Sequence, residues 1–166
     1  MVKVTATSKM AVTTITAVSG YTGATKTLYE MANAGLYSLT GATTVGNTTT
    51  YALKAGVTLA SSAALTRRAG ITITFVTEVE VTQANAATRF SQLNVTKSAD
   101  DFVAQMTAVK TGDASTYSSV AVPLAAALTI TAPTVASVAV VSSAATVTTS
   151  VMAMAVAALA ASQARQ

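Results

Sequence analysis

Acid–base chemistry in a protein depends on carboxylates, histidines or cysteines at suitable spacings, and among these three this chain offers only carboxylates. It has six acidic residues, no histidine and no cysteine. Glu78 and Glu80 lie two residues apart in an alternating segment, so both would share one face of a strand. They could form an acid/base dyad, although charged residues on a strand face are usually solvated. Because histidine is the commonest general base and metal ligand, we expect no catalytic residue, no metal and no cofactor.

Composition narrows the class of protein further. The length of 166 residues suits one domain, or one domain with an arm. Only 10% of the residues are charged, against about a quarter in average proteins. The net charge of +4 suits an anionic partner without requiring one. The absence of cysteine excludes a disulfide framework and a thiolate metal site.

The clearest pattern lies in RRAGITITFVTEVEVT, residues 67–82. Apolar and polar residues alternate there, with one apparent slip at Val76 and Thr77, and this predicts a long strand with one apolar face. The other face is rich in threonine and is preceded by Arg67 and Arg68. The apolar face predicted for the core consists of Ile71, Ile73, Phe75, Val79 and Val81.

Other segments suggest further strands joined by short turns. Residues 2–18 favour one or two strands, TYALKAGVTLA alternates, and SSAALT is interpreted as the turn before the long strand. GATTVGNTTT indicates a turn region, while TKTLYEMANAGLYSLTG is interpreted as strand and loop because glycine and asparagine interrupt it. TRFSQLNVT is interpreted as another strand. Together these predict an antiparallel meander of about five to seven strands.

A change of period then predicts a helix in KSADDFVAQMTAVKTGD. Ser98 is a candidate N-cap, and acidic residues follow in the first turn, where the helix dipole favours negative charge. Phe102, Met106 and Val109 recur at helical spacing. Gly112 is a natural residue for the end of this helix. A helix laid on the apolar face would leave the polar sheet face free.

This order of elements resembles that of the coat proteins of small single-stranded-RNA bacteriophages of the levivirus type. The resemblance rests on LKAGVTLASSAALTRRAGITITFVTEVEV (residues 53–81) and NVTKSADDFVAQMTAVKTGD (residues 94–113), about a third of the chain. It implies an α+β fold, in which an antiparallel meander sheet carries one or more carboxyl-terminal helices on one face. It also implies an interlocked homodimer whose continuous sheet faces the RNA. The loop at residues 83–88 is short for the family, which leaves the geometry of the shell open.

The resemblance implies a structural capsid protein that assembles from dimers into an icosahedral shell around single-stranded genomic RNA. The virion would form in the host cytoplasm, and an RNA hairpin would bind on the inner sheet face. Threonine hydroxyls and amides can reach sugars and bases, an aromatic ring can stack a base, and cations attract phosphates. The RNA-binding residues expected by pattern are Lys54, Thr58, Arg67, Arg68, Thr72, Thr74, Arg89, Phe90, Gln92 and Asn94.

The carboxyl-terminal part has a different character. No charged side chain occurs between Ala114 and Ala164, and residues 129–166 carry only Arg165. We therefore divide the chain into a coat-like domain, residues 1–128, and an uncharged extension, residues 129–166, interpreted as an intersubunit arm. The extension contains a β-prone stretch, Leu128 to Val141, and a possible helix at residues 151–161. Its centre is threonine and serine, so we expect no membrane partner. The open alternative is another self-assembling structural subunit without RNA binding: a tail-tube, filament or membrane-associated virion protein.

Overall fold

The computed structural model describes residues 1–66 and 70–139. They form an α+β fold with a four-stranded antiparallel sheet, a separate two-stranded sheet and four α-helices. The strands are β1 (Val2–Val12), β2 (Thr40–Val45), β3 (Thr48–Leu53), β4 (Val57–Leu65), β5 (Ile71–Val81) and β6 (Leu128–Ala139). The helices are α1 (Gly23–Leu36), α2 (Ala86–Leu93), α3 (Ala99–Gly112) and the single turn α4 (Ala114–Tyr117).

The main sheet has the order β4-β5-β1-β6, so the amino-terminal strand lies between two strands from later in the chain. Every neighbouring pair is antiparallel. β4 and β5 form the hairpin expected from sequence, but β1 and β6 complete the sheet through long-range pairing. The strand order is therefore not that of a simple meander. β2 and β3 form the separate hairpin.

The long strand β5 is confirmed, and its alternation runs through without a slip. Thr77 faces the core and is 2% exposed, whereas Val76 lies on the opposite face and is half-buried. The slip at Val76 and Thr77 is therefore one of polarity only and does not change the register of the strand. Thr77 is accommodated because its hydroxyl accepts a hydrogen bond from the buried Asn33 amide of α1, with 3.5 Å between Nδ2 and Oγ1. The alternating apolar residues of β1 extend the same buried face.

Two segments interpreted as strands are helices. TKTLYEMANAGL forms α1, whose buried residues include Leu28, Tyr29 and Ala32. Phe102 of α3 lies against Tyr29, with 5.6 Å between ring centroids. TRFSQL belongs to α2, which packs against β1 and β6 and buries Leu93 completely. Both helices form because their apolar spacing suits a helical stripe that the core can cover, despite the glycine and asparagine in α1.

The helix predicted from Ser98 onward is confirmed as α3. Ser98 is the N-cap, and its Oγ accepts a hydrogen bond from the Asp101 backbone N–H at 3.0 Å. Phe102, Met106 and Val109 are buried as expected. Gly112 is the last helical residue rather than the residue after the helix. The close approach of the β3 backbone explains glycine there, since a Cβ would lie 2.6 Å from the Thr49 carbonyl oxygen.

The turn expected at SSAALT is wrong, because Ser61–Leu65 continue β4 opposite β5. Just beyond β4, the Thr66 backbone N–H donates to the Gly70 carbonyl at 3.1 Å. A polar chain joins β4 to α1. The Tyr21 hydroxyl donates to Ser61 Oγ at 3.0 Å, and Ser61 donates to the Glu30 carboxylate at 2.6 Å. Burial is the main cause that raises the pKa of Tyr21 above its ordinary value.

The stretch expected to be β-prone forms β6, which pairs with β1 over most of its length. Pro133 lies at an irregularity between the pairs Thr7–Thr134 and Lys9–Thr131, where two β6 residues oppose Ser8. A bulge in an edge strand is a position that tolerates proline. The boundary drawn at residues 128 and 129 thus coincides with the start of a sheet strand. The helix expected at residues 151–161 lies outside the described residues.

Candidate functional site

One face of the four-stranded sheet carries the helices and the core, and the other face carries no helix of the described residues. We call the second the open face. The register of the strands brings short hydroxyl and methyl side chains together across it. It consists of Lys3, Thr5, Thr7, Lys9 and Ala11 on β1; Thr58, Ala60, Ser62 and Ala64 on β4; Thr72, Thr74, Val76, Glu78 and Glu80 on β5; and Thr129, Thr131, Thr134, Ala136 and Val138 on β6.

Three of the expected RNA-binding residues lie on this open face. Thr72 and Thr74 are half-buried near the start of β5, and Thr58 is exposed near the start of β4. Antiparallel pairing places Thr58 opposite Glu78, at the other end of the sheet from Thr72. The Thr58 hydroxyl donates to the Glu78 carboxylate at 3.4 Å. Thr58 therefore stands beside a negative charge, which disfavours phosphate at that end.

The open face divides into two ends of different charge. At one end Lys3 pairs with Glu78, with 3.0 Å between Nζ and Oε2, and Glu80 lies nearby in the same depression. At the other end Lys9 stands opposite Thr74 in the register and is exposed. Four residues along a strand separate Thr74 from Glu78, a distance of about 13 Å. The Lys9 end is therefore the part suited to an anionic partner.

Lys9 was missed as a binding candidate from sequence. The alternation Lys3, Thr5, Thr7, Lys9 within β1 could have placed it on a polar strand face. No local pattern, however, indicates that β1 pairs with β5 and so brings Lys9 beside Thr74. Arg67 and Arg68, the other cations expected here, lie outside the described residues.

The remaining expected residues do not lie on the open face. Arg89, Phe90 and Gln92 belong to α2, and Asn94 is its C-cap residue. Phe90 packs against the buried cluster on the helix-covered side of the sheet, so it is not placed to stack a base on the open face. The interpretation of TRFSQLNVT as a strand, which would place these side chains on a sheet face, is wrong because residues 86–93 form α2.

Three cations gather instead at a second location, in a depression of about 390 Å³. We call it the basic pocket. Lys54 comes from the turn between β3 and β4, Arg89 from α2, and Lys97 from the segment before α3. The pocket is completed by Leu36, Tyr37, Ser38, Gln92 and Val95. Lys54, Arg89 and Gln92 are among the residues expected from sequence, whereas Lys97 is not.

Contacts within the basic pocket hold two of its cations. Lys54 Nζ donates to the Ser38 carbonyl at 2.9 Å. Lys97 Nζ lies 5.3 Å from the centroid of the Tyr37 ring, within the range of a cation–π interaction. The Tyr37 hydroxyl donates to the Val95 carbonyl at 3.4 Å, and burial raises the pKa of Tyr37. The pocket thus combines three basic side chains with one phenol ring.

Comparison with protein-family models, curated sequences and solved structures gives no significant match. Among the helices of residues 1–66 and 70–139, none is long and apolar enough to cross a membrane.

Proposed function

We propose that the chain is a structural capsid subunit that forms homodimers, assembles into a shell and packages single-stranded RNA, with a hairpin bound on the open face. The observation that carries this proposal is a four-stranded antiparallel sheet with one helix-covered face and one open face of threonine, serine and alanine. Short hydroxyl side chains keep such a surface soluble and offer hydrogen bonds to sugars, phosphates and exposed bases. Lys9, Thr72 and Thr74 are the contacts we assign at its basic end.

Dimerisation is proposed through β4, which is an edge strand of the described sheet. β4 contributes nine residues without a charge or a proline. The opposite edge, β6, contains Pro133 and the register irregularity, two features that discourage pairing with another strand. Antiparallel pairing of two β4 strands would give one continuous eight-stranded sheet. Such a sheet spans about 34 Å across its strands, at about 4.8 Å per neighbour.

The first experiment is expression of the chain alone, followed by electron microscopy and extraction of nucleic acid from purified particles. We expect closed shells that protect single-stranded RNA from nuclease. Thr72→Ala with Thr74→Ala should lower the amount or change the sequence preference of packaged RNA. Thr88→Ala, an exposed threonine on α2, is the control and should leave the RNA unchanged. Shells that form without nucleic acid would contradict RNA packaging but not self-assembly.

The second experiment tests the edge. Ala60→Lys combined with Ser62→Lys places lysines on both sides of Ser61, the midpoint of β4. In a symmetric pairing about Ser61 these lysines would face each other, and like charges directly opposite destabilise a strand pair. We expect dimerisation at least tenfold weaker by sedimentation equilibrium. The matched control, Thr129→Lys with Thr131→Lys on β6, should leave dimers intact. Loss of dimers in the control alone would move the interface to β6.

A second candidate function is a tail-tube or filament subunit that assembles without RNA. It is favoured by the balanced charge of the open face, on which Lys3 and Lys9 are matched by Glu78 and Glu80. The uncharged β2–β3 hairpin also suits protein contacts, because Val45 beside its turn is 77% exposed. Open tubes free of nucleic acid in the same micrographs would support this candidate. A membrane-associated virion protein would instead require detergent for extraction.

A further inference from the structure

The basic pocket contains a concentration of positive charge that the rest of the described chain does not balance. Lys3 and Lys26 each pair with a carboxylate, Glu78 and Glu30 respectively. By contrast, no carboxylate lines the pocket, and Lys54, Arg89 and Lys97 form no ion pair within residues 1–66 and 70–139. Three like charges around one depression repel each other, and an anion bound between them would remove that cost.

One lining residue of the pocket, Ser38, has a backbone conformation that is uncommon outside glycine. Ser38 follows α1 with a φ of 55°, the one positive φ among the described residues other than glycine. The Ser38 and Leu39 N–H groups bond to the carbonyls of Gly35 and Ala34, which is the Schellman arrangement that ends a helix. The left-handed conformation is unfavourable for a residue other than glycine. In this conformation the Ser38 carbonyl accepts a hydrogen bond from the Lys54 ammonium group. Backbone strain of this kind is concentrated at ligand sites.

We propose that the basic pocket binds a phosphate group. The Arg89 guanidinium can donate a two-pronged hydrogen bond to phosphate oxygens, Lys54 and Lys97 add point charges, and the Gln92 amide adds a neutral donor. Lys97 lies over the Tyr37 ring, so that ring face is occupied and does not stack a base. The ligand is therefore recognised through phosphate rather than through a nucleobase.

Two sources can supply that phosphate, the backbone of single-stranded RNA and a small phosphate compound. The RNA source rests on the proposed function, whereas the small-compound source does not. α2 packs on the covered side of the sheet, so the pocket is separate from the open face. An RNA strand held in the pocket would be a second contact, additional to a hairpin on the open face.

The test uses the full chain and two probes. Pyrophosphate is titrated by calorimetry at low salt, and a labelled oligouridylate is titrated by fluorescence anisotropy over a range of salt concentrations. The variants are Lys54→Gln and Arg89→Gln, with Arg89→Lys as the conservative change that keeps charge but loses the fork. Lys26→Gln on α1 is the matched control, because it removes one cation outside both the basic pocket and the open face, and Lys9→Gln tests the open face. Circular dichroism confirms that each variant is folded.

We expect Lys54→Gln and Arg89→Gln to weaken pyrophosphate binding tenfold or more, Arg89→Lys to weaken it less, and Lys26→Gln to leave it unchanged. If RNA uses the pocket, each glutamine variant should also reduce the salt slope by about 0.7, the value per phosphate contact on a single strand. Pyrophosphate binding without RNA binding would support the pocket and contradict RNA packaging. RNA binding that responds only to Lys9→Gln, with no pyrophosphate binding, would overturn the pocket and leave the proposed function standing. Equal binding by all variants would also overturn it.

Discussion

Replacing Thr77 by valine tests the packing between β5 and α1. The Thr77 side chain is 2% exposed and Asn33 is 4% exposed, so the hydrogen bond between them is made out of contact with water. Valine has nearly the same shape as threonine but cannot accept a hydrogen bond. The substitution therefore leaves the volume of the core unchanged and removes the acceptor for the Asn33 amide.

The expected loss in the free energy of unfolding follows from the cost of leaving a buried polar group without a hydrogen-bond partner. A buried donor without a partner costs about 1–3 kcal/mol. At 3.5 Å this hydrogen bond is long, so we expect Thr77→Val to lower the free energy of unfolding by about 1 kcal/mol, the lower end of that range. For a chain of this length the corresponding fall in melting temperature is about 2–4 °C. Combining it with Asn33→Leu removes both polar groups, and such paired replacements are nearly neutral or stabilising.

The assay is urea denaturation of the four members of this double-mutant cycle, at one protein concentration because self-association changes apparent stability. The control is Thr74→Val, the same chemical change three residues earlier on the half-buried open face. It should alter the free energy of unfolding by less than about 0.5 kcal/mol. If the Asn33→Leu and Thr77→Val effects simply add, or if Thr74→Val costs as much as Thr77→Val, the assigned contact is not what stabilises this part of the core.

Three further outcomes are expected. Ser98→Ala removes the hydrogen bond to the Asp101 N–H and should cost about 1 kcal/mol in urea denaturation, whereas Ser91→Ala, exposed within α2, should cost little. Burial raises the pKa of Tyr29 to about 12, so its neutral form contributes stability below pH 10 that is lost as the pH rises towards about 12. Tyr29→Phe should therefore lose less stability over that interval, and an unchanged pH profile would contradict this. Truncation after Leu128 should reduce the circular dichroism signal, since it removes most of the strand that pairs with β1; a folded shorter chain would support the boundary at residue 128.

Elements with strong local signals were predictable from sequence. β5 has an alternation of period two, and α3 combines an N-cap serine with Phe102, Met106 and Val109 at helical spacing. In both, local preference and tertiary packing favour the same structure. α1 was missed because Asn33 and Gly35 suggested a break, although Leu28, Ala32 and Leu36 recur every four residues.

The candidate binding surfaces were predictable only in part, because both the open face and the basic pocket depend on long-range structure. Phe90 and Leu93 are three residues apart, a spacing that suits one face of a helix as well as irregular alternation in a strand. The sequence alone does not decide between a helix and a strand here. The helix places Arg89, Phe90 and Gln92 away from the open face, where a strand was expected to present them. Likewise, the basic pocket joins residues separated by up to 61 positions, from Leu36 to Lys97, which no local motif could indicate.

The open face and the basic pocket are separate surfaces, and this separation bears on how the proposed shell would bind RNA. On the open face, Glu78 and Glu80 offset Lys3 and Lys9, so long-range attraction to RNA from that face alone is weak. The basic pocket has the opposite character, with concentrated charge but little area for reading bases. If both proposals hold, the pocket would supply affinity that depends on salt, and the hydroxyl-rich open face would supply selectivity that depends on salt much less. Substitutions of Lys54 or Arg89 would then change how much RNA is bound, and substitutions of Thr72 or Thr74 would change which RNA is bound.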